Sequence, residues 1–581
     1  MRSMPDTTLI EQLRNPALYP ETVTSPGHKP VELIETHISW VLLTGDFAYK
    51  IKKPVALGFL DFSTLARRKY YCEEELRLNR RLAPDWYLDV VPIFGSPEQP
   101  SFARMREPQR DPEGKPVGDP SGEPAGEYFG APIEYALKMR QFDADQRLDK
   151  VLEAGCLSGD HLSQLAADIA DFHASLPPPP ASSDFGTPEE ILKPCAENFV
   201  VLRTALRALL ASSDARAAGL SAQIKAIRRW SESQGKRLRS CFEARQLAGF
   251  VRECHGDLHL ENLFLDRGLS EAGHNSGRGS RVVAFDCIEF DPQLRWIDVM
   301  NEIAFLVMDL DSRFRTDLGF VFLNAYLERS GDYAGVTVLR YYLVYRAMVR
   351  AKVEAIRSSQ ATRSEPPSED LSAVERHLEL ACNYIQGYPA DPRGPLLITT
   401  IGLSGSGKTT LTNELMAAQP AIRLRSDVER KRMFKGDTLY TRKATEEVYR
   451  RLAEKSAQLL QAGFNVIVDA TFLDTEKRRQ FPAMVTQLLN NVTVYRAQLY
   501  CYAPTSVLEQ RVMTRAAAAR DASDADLDIL RHQLASFQEP LEDEASYTVR
   551  VDTSRCWNAG ELCRQLKALA QDKGPLQQQP K

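Results

Sequence analysis

Residues 396–410 read LLITTIGLSGSGKTT, and the fold of the second half of the chain turns on this stretch. Leu396–Ile401 is a short apolar run of strand length, rich in β-branched residues. Gly402 then opens a G-x4-G-K-T spacing that closes at Gly407, Lys408 and Thr409, and a helical pattern, LTNELMAA, follows. Glycines in such a turn let successive backbone N–H groups point inward at an anion, and the positive end of the helix adds to them. Gly402, Ser404, Gly405, Ser406, Gly407, Lys408, Thr409 and Thr410 are therefore expected to cradle the phosphates of ATP. Lys408 would reach the β- and γ-phosphates, and the Thr409 hydroxyl would hold Mg2+. A strand before and a helix after set the stretch apart from a chance glycine-rich turn.

Beyond this loop, strand and helix patterns alternate (GFNVIVDA, then VTVYRAQLY), which predicts a parallel sheet flanked by helices. PADPRGP (389–395) breaks the chain just before the first strand, so a boundary is placed near 390. GFNVIVDATF ends in Asp469, where a carboxylate of the Walker-B type would stand near the metal; a turn aspartate is the plainer interpretation. RLRSDVERKRMF puts Asp427 and Arg430 three apart, on one face if helical. Asp427 would accept the proton of an attacking hydroxyl while Arg430 grips an anionic group of the acceptor. An ordinary N-cap at Ser426 or Asp427, with surface charges after it, would give the same letters. Arg511 and Arg515 lie at i, i+4 on the next helical pattern, with Arg520 beyond. They read either as a lid that neutralises the transferred phosphoryl group or as a solvated face.

Residues 395–556 resemble P-loop kinases of the polynucleotide-kinase and gluconate-kinase type. GLSGSGKTT, the Asp427-x-x-Arg430 pair, VIVDATF and the Arg511/Arg515 segment followed by DASDA carry the likeness. It implies an adenylate-kinase-like α/β fold that transfers the γ-phosphoryl of ATP to a hydroxyl, with Asp427 as the base.

A different device stands earlier. His255–Leu265 reads HGDLHLENLFL, a loop between two short apolar strands, with Asn262 five positions after Asp257. Kinase-type phosphoryl transfer uses this spacing: the aspartate receives the acceptor proton and the asparagine holds Mg2+. RVVAFDCIEFD supplies a second metal carboxylate, Asp286, at the end of a strand. These oxygens suit a hard cation. His255 could serve as a metal ligand or base, but a buried histidine bonded to backbone and bracing the loop is the expectation; His259 carries no assignment. THISWVLLTGDFAYKIKKP reads as two strands around a Thr44-Gly45-Asp46 turn, with Ala48 and Lys50 sharing a face. Lys50 would bind the α/β-phosphates, with Lys52 and Lys53 as competitors. Glu75 in the helical pattern RRKYYCEEELRLNRRL would orient it, Glu74 being the close alternative. IEYALKMRQF (133–142) would form the extended hinge between lobes whose backbone bonds adenine, or a plain core strand.

Residues 30–355 resemble the aminoglycoside-phosphotransferase and choline-kinase superfamily, which has the α+β protein-kinase fold. HGDLHLENLFL, FDCIEFD, AYKIKK and LAADIADFHASL carry this likeness. No G-x-G-x-x-G covers the phosphates, and no aminoglycoside-specific pocket is legible. The whole resembles bacterial fusions of an aminoglycoside-phosphotransferase-like domain with a P-loop ATP-binding domain. The expected division is 1–356 kinase-like, 357–394 a linker with one helix, 395–571 P-loop kinase, and 572–581 a disordered tail. Further helices are predicted at 65–83, 161–176, 188–212, 218–246, 296–309 and 336–357, and loops at 98–130 and 266–280.

Bulk properties agree with an ordinary globular chain. The 581 residues are 43% hydrophobic and 26% charged, with a net charge of −5 that argues against a strongly basic nucleic-acid scaffold. The 10 cysteines show no C-x-x-C pair, which argues against zinc or a redox couple and suits a reducing compartment. No apolar run is long enough for a membrane span and no signal segment opens the chain, so a cytoplasmic location is expected. The leading expectation is a bifunctional ATP- and Mg2+-dependent phosphotransferase acting on hydroxyls of small-molecule or nucleic-acid acceptors, without a stable protein partner. The alternative is an ATP-binding regulator in which one domain senses nucleotide without turnover. A serine/threonine protein kinase would want an activation segment after Asp286, and CIEFDPQLRWIDV leaves little room for one.

Overall fold

The computed structural model describes residues 7–19, 30–57, 60–102, 130–210, 215–268, 280–360, 371–387, 393–436, 439, 441–490, 492–518, 526–573 and 575–576. Most of the predicted loops at 98–130 and 266–280, residues 361–370 of the linker, Arg520 with the following DASDA, and 577–581 lie outside them. The chain divides into two compact units. One holds Met1–Leu157 with Glu253–Ile297, the other Ser158–Arg252 with Asp298–Lys581. Each is discontinuous in sequence, which differs from the serial division expected above.

The first unit is built on six strands: β1 (Glu32–Glu35), β2 (Ser39–Leu43), β3 (Phe47–Lys52), β4 (Tyr87–Ser96), β5 (Gln99–Ser101) and β6 (Glu134–Arg140). They lie in the order β1-β2-β3-β6-β4-β5. Alternation puts Leu42, Tyr49, Ile51, Ile93 and Ala136 into one apolar layer. Helix α1 (Leu65–Asn79) is capped by Thr64, whose hydroxyl accepts from Arg67 N at 3.3 Å. A hairpin of β7 (Leu263–Asp266) and β8 (Arg281–Ala284) pairs Leu263 with Ala284, and Phe285 N donates to Asn262 O at 3.0 Å just beyond. That register brings Asn262 and Asp286 to the same end of one hairpin.

The second unit begins with helices α2 (Gly159–Ser175), α3 (Pro188–Ala205), α4 (Ala215–Leu247), α5 (Val299–Ser312), α6 (Thr316–Ser330), α7 (Val336–Gln360) and α8 (Ser372–Ile385). α6 is absent from the sequence expectations. Its TDLGFVFLNAYLERS has apolar residues on every side and Gly319 inside, so no amphipathic period marks it. The P-loop part has β9 (Leu396–Ile401), β10 (Ala421–Arg425), β11 (Asn465–Asp469), β12 (Tyr495–Tyr502) and β13 (Thr548–Asp552), in the order β10-β11-β9-β12-β13. All four pairings are parallel. β9 and β11 are buried along their whole length, as the strands of a helix-covered parallel sheet must be. The flanking helices include α9 (Lys408–Ala418), α10 (Ser426–Met433), α11 (Arg442–Gln461), α12 (Thr475–Leu488), α13 (Thr505–Ala518) and α14 (Ala559–Lys573). α14 runs into the predicted tail, and Leu576 N donates to Val494 O at 2.7 Å.

Both architectures expected from the sequence are present: an α+β protein-kinase-like part, and an α/β P-loop part with a parallel sheet. Among the described residues no helix is long and apolar enough to cross a membrane.

Candidate functional sites

In the first unit, Lys50 lies mid-strand on β3, opposite Val41 of β2 and Leu137 of β6. Its ammonium donates to Glu75 Oε1 at 2.8 Å and to Asp286 Oδ1 at 2.6 Å. Of the two glutamates left open by the sequence, Glu75 meets Lys50; Glu74 pairs instead with Arg77 and Arg295 at 2.7 and 2.8 Å. Lys52, two residues on and therefore on the same face, donates to Glu75 Oε2 at 2.7 Å and also to Glu289. One fully buried carboxylate is thus clamped by two lysines. Burial alone would raise the Glu75 pKa, but Lys50 and Lys52 outweigh it and hold it down at about 2. Burial likewise works against the Lys50 charge, and Asp286, Glu75 and Glu289 overcome it to keep its pKa well above the ordinary lysine range. Lys53 turns elsewhere, to Glu35 at 2.6 Å. Nothing local marks Glu289 as this partner, because a glutamate three residues after Asp286 looks like any polar residue of a loop.

Asp286 adopts φ +63°, a left-handed conformation that costs a non-glycine residue about 1 kcal/mol or more. Tyr87 and Asn79 pin it there: Asp286 N donates to the Tyr87 hydroxyl at 3.0 Å, and Cys287 N to Asn79 Oδ1 at 2.9 Å. In the quoted loop, Asn262 Nδ2 donates to Asp257 Oδ2 at 2.8 Å and to Asp257 O at 3.0 Å. His259 Nδ1 accepts from Glu261 N at 3.3 Å, so the proton sits on Nε2, which donates to Asp257 Oδ2 at 3.2 Å. The same logic fixes His255: Nδ1 accepts from Asp257 N at 3.3 Å and Nε2 donates to Phe285 O at 2.8 Å. Burial depresses the His255 pKa to about 4, so it braces the loop as a neutral ring. Mg2+ suits this oxygen set. The Asn262 amide nitrogen is engaged with Asp257, so the amide oxygen is the atom that could serve such an ion, and Asp286 already faces a cation in Lys50.

In the P-loop part, Gly402, Gly405 and Gly407 have φ of +148°, +80° and +78°. A Cβ on Gly402 would come within 2.4 Å of Cys501 O, so no other residue fits that turn. Lys408 donates to Gly402 O at 2.9 Å and Leu403 O at 2.8 Å, folded onto its own loop, and burial lowers its pKa. Thr409 Oγ1 donates to Asp469 Oδ2 at 2.8 Å, so the hydroxyl of the loop and the strand-end carboxylate meet at one point, a donor pair that fits Mg2+. A cavity of about 320 Å³ opens here. Ser404, Gly405, Gly407, Lys408, Thr409, Thr410, Asp427, Asp469, Arg511 and Arg515 line it, together with Arg425 and Ser426.

Three predicted residues lie off this wall. Gly402 and Ser406 shape the loop from behind. Arg430 is buried, donating to Leu439 O at 2.8 Å and Thr445 Oγ1 at 3.2 Å, which ties α10 to the segment before α11 and to the first turn of α11 itself. Arg511 is also more brace than lid, holding Gly405 O at 3.3 Å and Thr553 O at 2.7 Å. Arg425 carries no expectation above, yet it reaches the cavity with Nε 3.9 Å from Asp469 Oδ2. Its place one residue before the α10 helix, at the C-terminal end of β10, was the available signal.

Residues 397–540 match the model of a family described as an AAA domain. A protein of Mycobacterium tuberculosis described as uncharacterized is 29% identical over 504 residues, covering 85% of this chain and 88% of that one. A sugar kinase structure from Janibacter sp. HTCC2649 is 18% identical and covers 31% of this chain and 98% of its own, with a TM-score of 0.24. A choline/ethanolamine kinase family protein from Mesorhizobium loti is 13% identical and covers 66% of this chain and 96% of its own, with a TM-score of 0.33.

Proposed function

We propose that the chain is a bifunctional phosphotransferase that moves the γ-phosphoryl group of ATP to hydroxyl groups at two separate sites. The observation that carries this reading is the meeting of Lys408, Thr409 and Asp469 with Asp427 in one cavity of about 320 Å³. A triphosphate-binding loop alone would serve any NTPase. A carboxylate across the same cavity adds a group that can take a proton from an acceptor hydroxyl. In the transfer, the acceptor oxygen bonds to the γ-phosphorus, the bond to the β–γ bridging oxygen breaks, ADP leaves, and the acceptor proton passes to Asp427. Mg2+ held by Thr409 and Asp469 would neutralise phosphate charge. Arg515 and Arg425 on the cavity wall favour an anionic acceptor, a small phosphorylated metabolite or a nucleic-acid end.

At the first site Asp257 takes the same role, held by His259 and Asn262. Lys50, oriented by Glu75, would bind the α/β-phosphates, and Asn262 and Asp286 would hold Mg2+. Two unrelated ways of gripping a triphosphate in one polypeptide fit two chemical steps better than one.

A transfer screen with γ-labelled ATP over sugars, amino alcohols, nucleosides and RNA ends tests this, using the intact protein beside Asp257→Ala and Lys408→Ala. Each labelled product is expected to vanish in one variant and persist in the other. Label transfer that survives both substitutions, or ATP binding with no labelled acceptor, water included, defeats the reading.

A further inference from the structure

β10 is an edge strand, bonded on one side to β11. On its other side stands α6, within the same compact unit. Asn324 of α6 donates from Nδ2 to Ala421 O at 2.9 Å and accepts from Arg423 N at 2.7 Å on Oδ1. A single side-chain amide therefore imitates the next strand of the sheet. One turn along α6, Glu328 receives Arg425 Nη1 at 2.8 Å and Arg423 Nη2 at 3.2 Å. Arg432 of α10 donates to Glu328 O at 2.7 Å, closing the seam from the other end.

Arg425 is thereby placed between two carboxylates. It makes a short bond to Glu328, while its Nε stands 3.9 Å from Asp469 Oδ2, the oxygen that also receives the Thr409 hydroxyl. Both arginine and carboxylate are largely buried, so a change of partner would alter the electrostatics of the cavity strongly. An arginine released from Glu328 already has Asp469 Oδ2 within 3.9 Å, and an Arg–carboxylate pair there would compete directly with a divalent cation.

We propose that Glu328 is a positioning residue of the P-loop site: it holds Arg425 off Asp469 and so keeps that carboxylate available to Mg2+. This rests on the nucleotide-binding reading of the P-loop cavity. The helical part of the chain thus sets the metal affinity of a site built on another sheet, although Glu328 touches neither nucleotide nor metal.

The test is Mg2+-dependent binding of a fluorescent ATP analogue to the full chain, taking the component lost in Lys408→Ala as the P-loop signal. Glu328→Gln is expected to raise the half-saturating Mg2+ concentration about tenfold while affinity without Mg2+ stays within about twofold. Adding Arg425→Gln to that variant is expected to return the Mg2+ requirement to near the wild-type value, since the competitor is gone. A purely structural role would make the double variant worse, not better, and that result overturns the proposal. An unchanged Mg2+ requirement in Glu328→Gln overturns it too. If wild type shows no component that depends on Lys408, the P-loop reading itself fails, and the proposal with it. Melting temperatures of all variants, expected within a few degrees of one another, separate either outcome from misfolding; should Glu328→Gln not fold, Arg425→Gln alone must then bind Mg2+ no more weakly than wild type for the proposal to stand.

Discussion

The ammonium of Lys50 lies 2.8 Å from Glu75 Oε1 and 2.6 Å from Asp286 Oδ1, so one cation spans the helix carboxylate and the strand-end carboxylate of the first site. Glu75 is at the centre, since its second oxygen holds Lys52, itself only 1% exposed. Glu75→Gln takes one of two carboxylate partners from each of two buried lysines, which costs roughly 3–5 kcal/mol. The variant is expected to melt well below wild type, and its Asp257-dependent transfer to need roughly tenfold more ATP. An unchanged melting curve would mean that the two lysines do not depend on this carboxylate.

Lys408→Ala removes the P-loop ammonium without disturbing the sheet. Loss of one such electrostatic contact in phosphoryl transfer is worth about 100-fold or more in turnover. Product formed at the second site is expected to fall by that factor, while label transfer lost in Asp257→Ala continues at the wild-type rate. Equal losses at both sites would show that the two are one functional unit.

His255 gives the first site a pH signature. Its folded pKa is lowered from 6.5 to about 4 by burial. Below pH 6.5 the unfolded loop takes up a proton that the folded one refuses, so local stability falls as pH drops through 6.5 and levels off below about 4. The full loss is about 3 kcal/mol. Hydrogen-exchange protection of the peptide 255–265, corrected for intrinsic rates, should decline over that window in wild type. In His255→Asn, which keeps a donor for Phe285 O, the slope should be shallower by one proton.

Arg478 and Glu544 are both 0% exposed and bonded at 2.8 and 2.9 Å. Arg478 also donates to Phe472 O at 3.1 Å and Gln538 O at 3.0 Å, fastening the segment after β11. Arg478→Met is expected to destabilise the P-loop part by about 3–5 kcal/mol in urea unfolding, and Arg478→Met with Glu544→Leu to recover much of the loss. A double variant as unstable as the single one would locate the cost in the lost carbonyl contacts instead.

Much of this was readable because the chemistry sits on local signals. G-x4-G-K-T needs no partner to be recognised, and Asp257 and Asn262 lie on one short loop. Strand and helix periods narrowed the first site to Lys50 with Lys52 and Lys53 as competitors and to Glu75 with Glu74 as the alternative; the packing around Glu75 makes the choice. Distant packing was not. Nothing near Glu328 or Asn324 in the sequence points to β10, and α6 itself is too uniformly apolar to show a period. Arg430 was assigned to the acceptor side from its spacing to Asp427, but the direction of a helix face is set by what packs on it, and α11 takes that side chain. The discontinuous units likewise arise from the return of 253–297 to the first sheet, a long-range event without a local mark.

The borrowed amide of Asn324 has one more implication, for anyone who would cut this protein in two. Severed before Pro395, the nucleotide-binding half would emerge with a raw sheet margin, its Ala421 carbonyl and Arg423 amide bared to water and to other copies of itself. Such a fragment invites edge-to-edge stacking into aggregates, and the natural place to divide the gene lies upstream of Thr316, leaving the helix attached to the strand it shields.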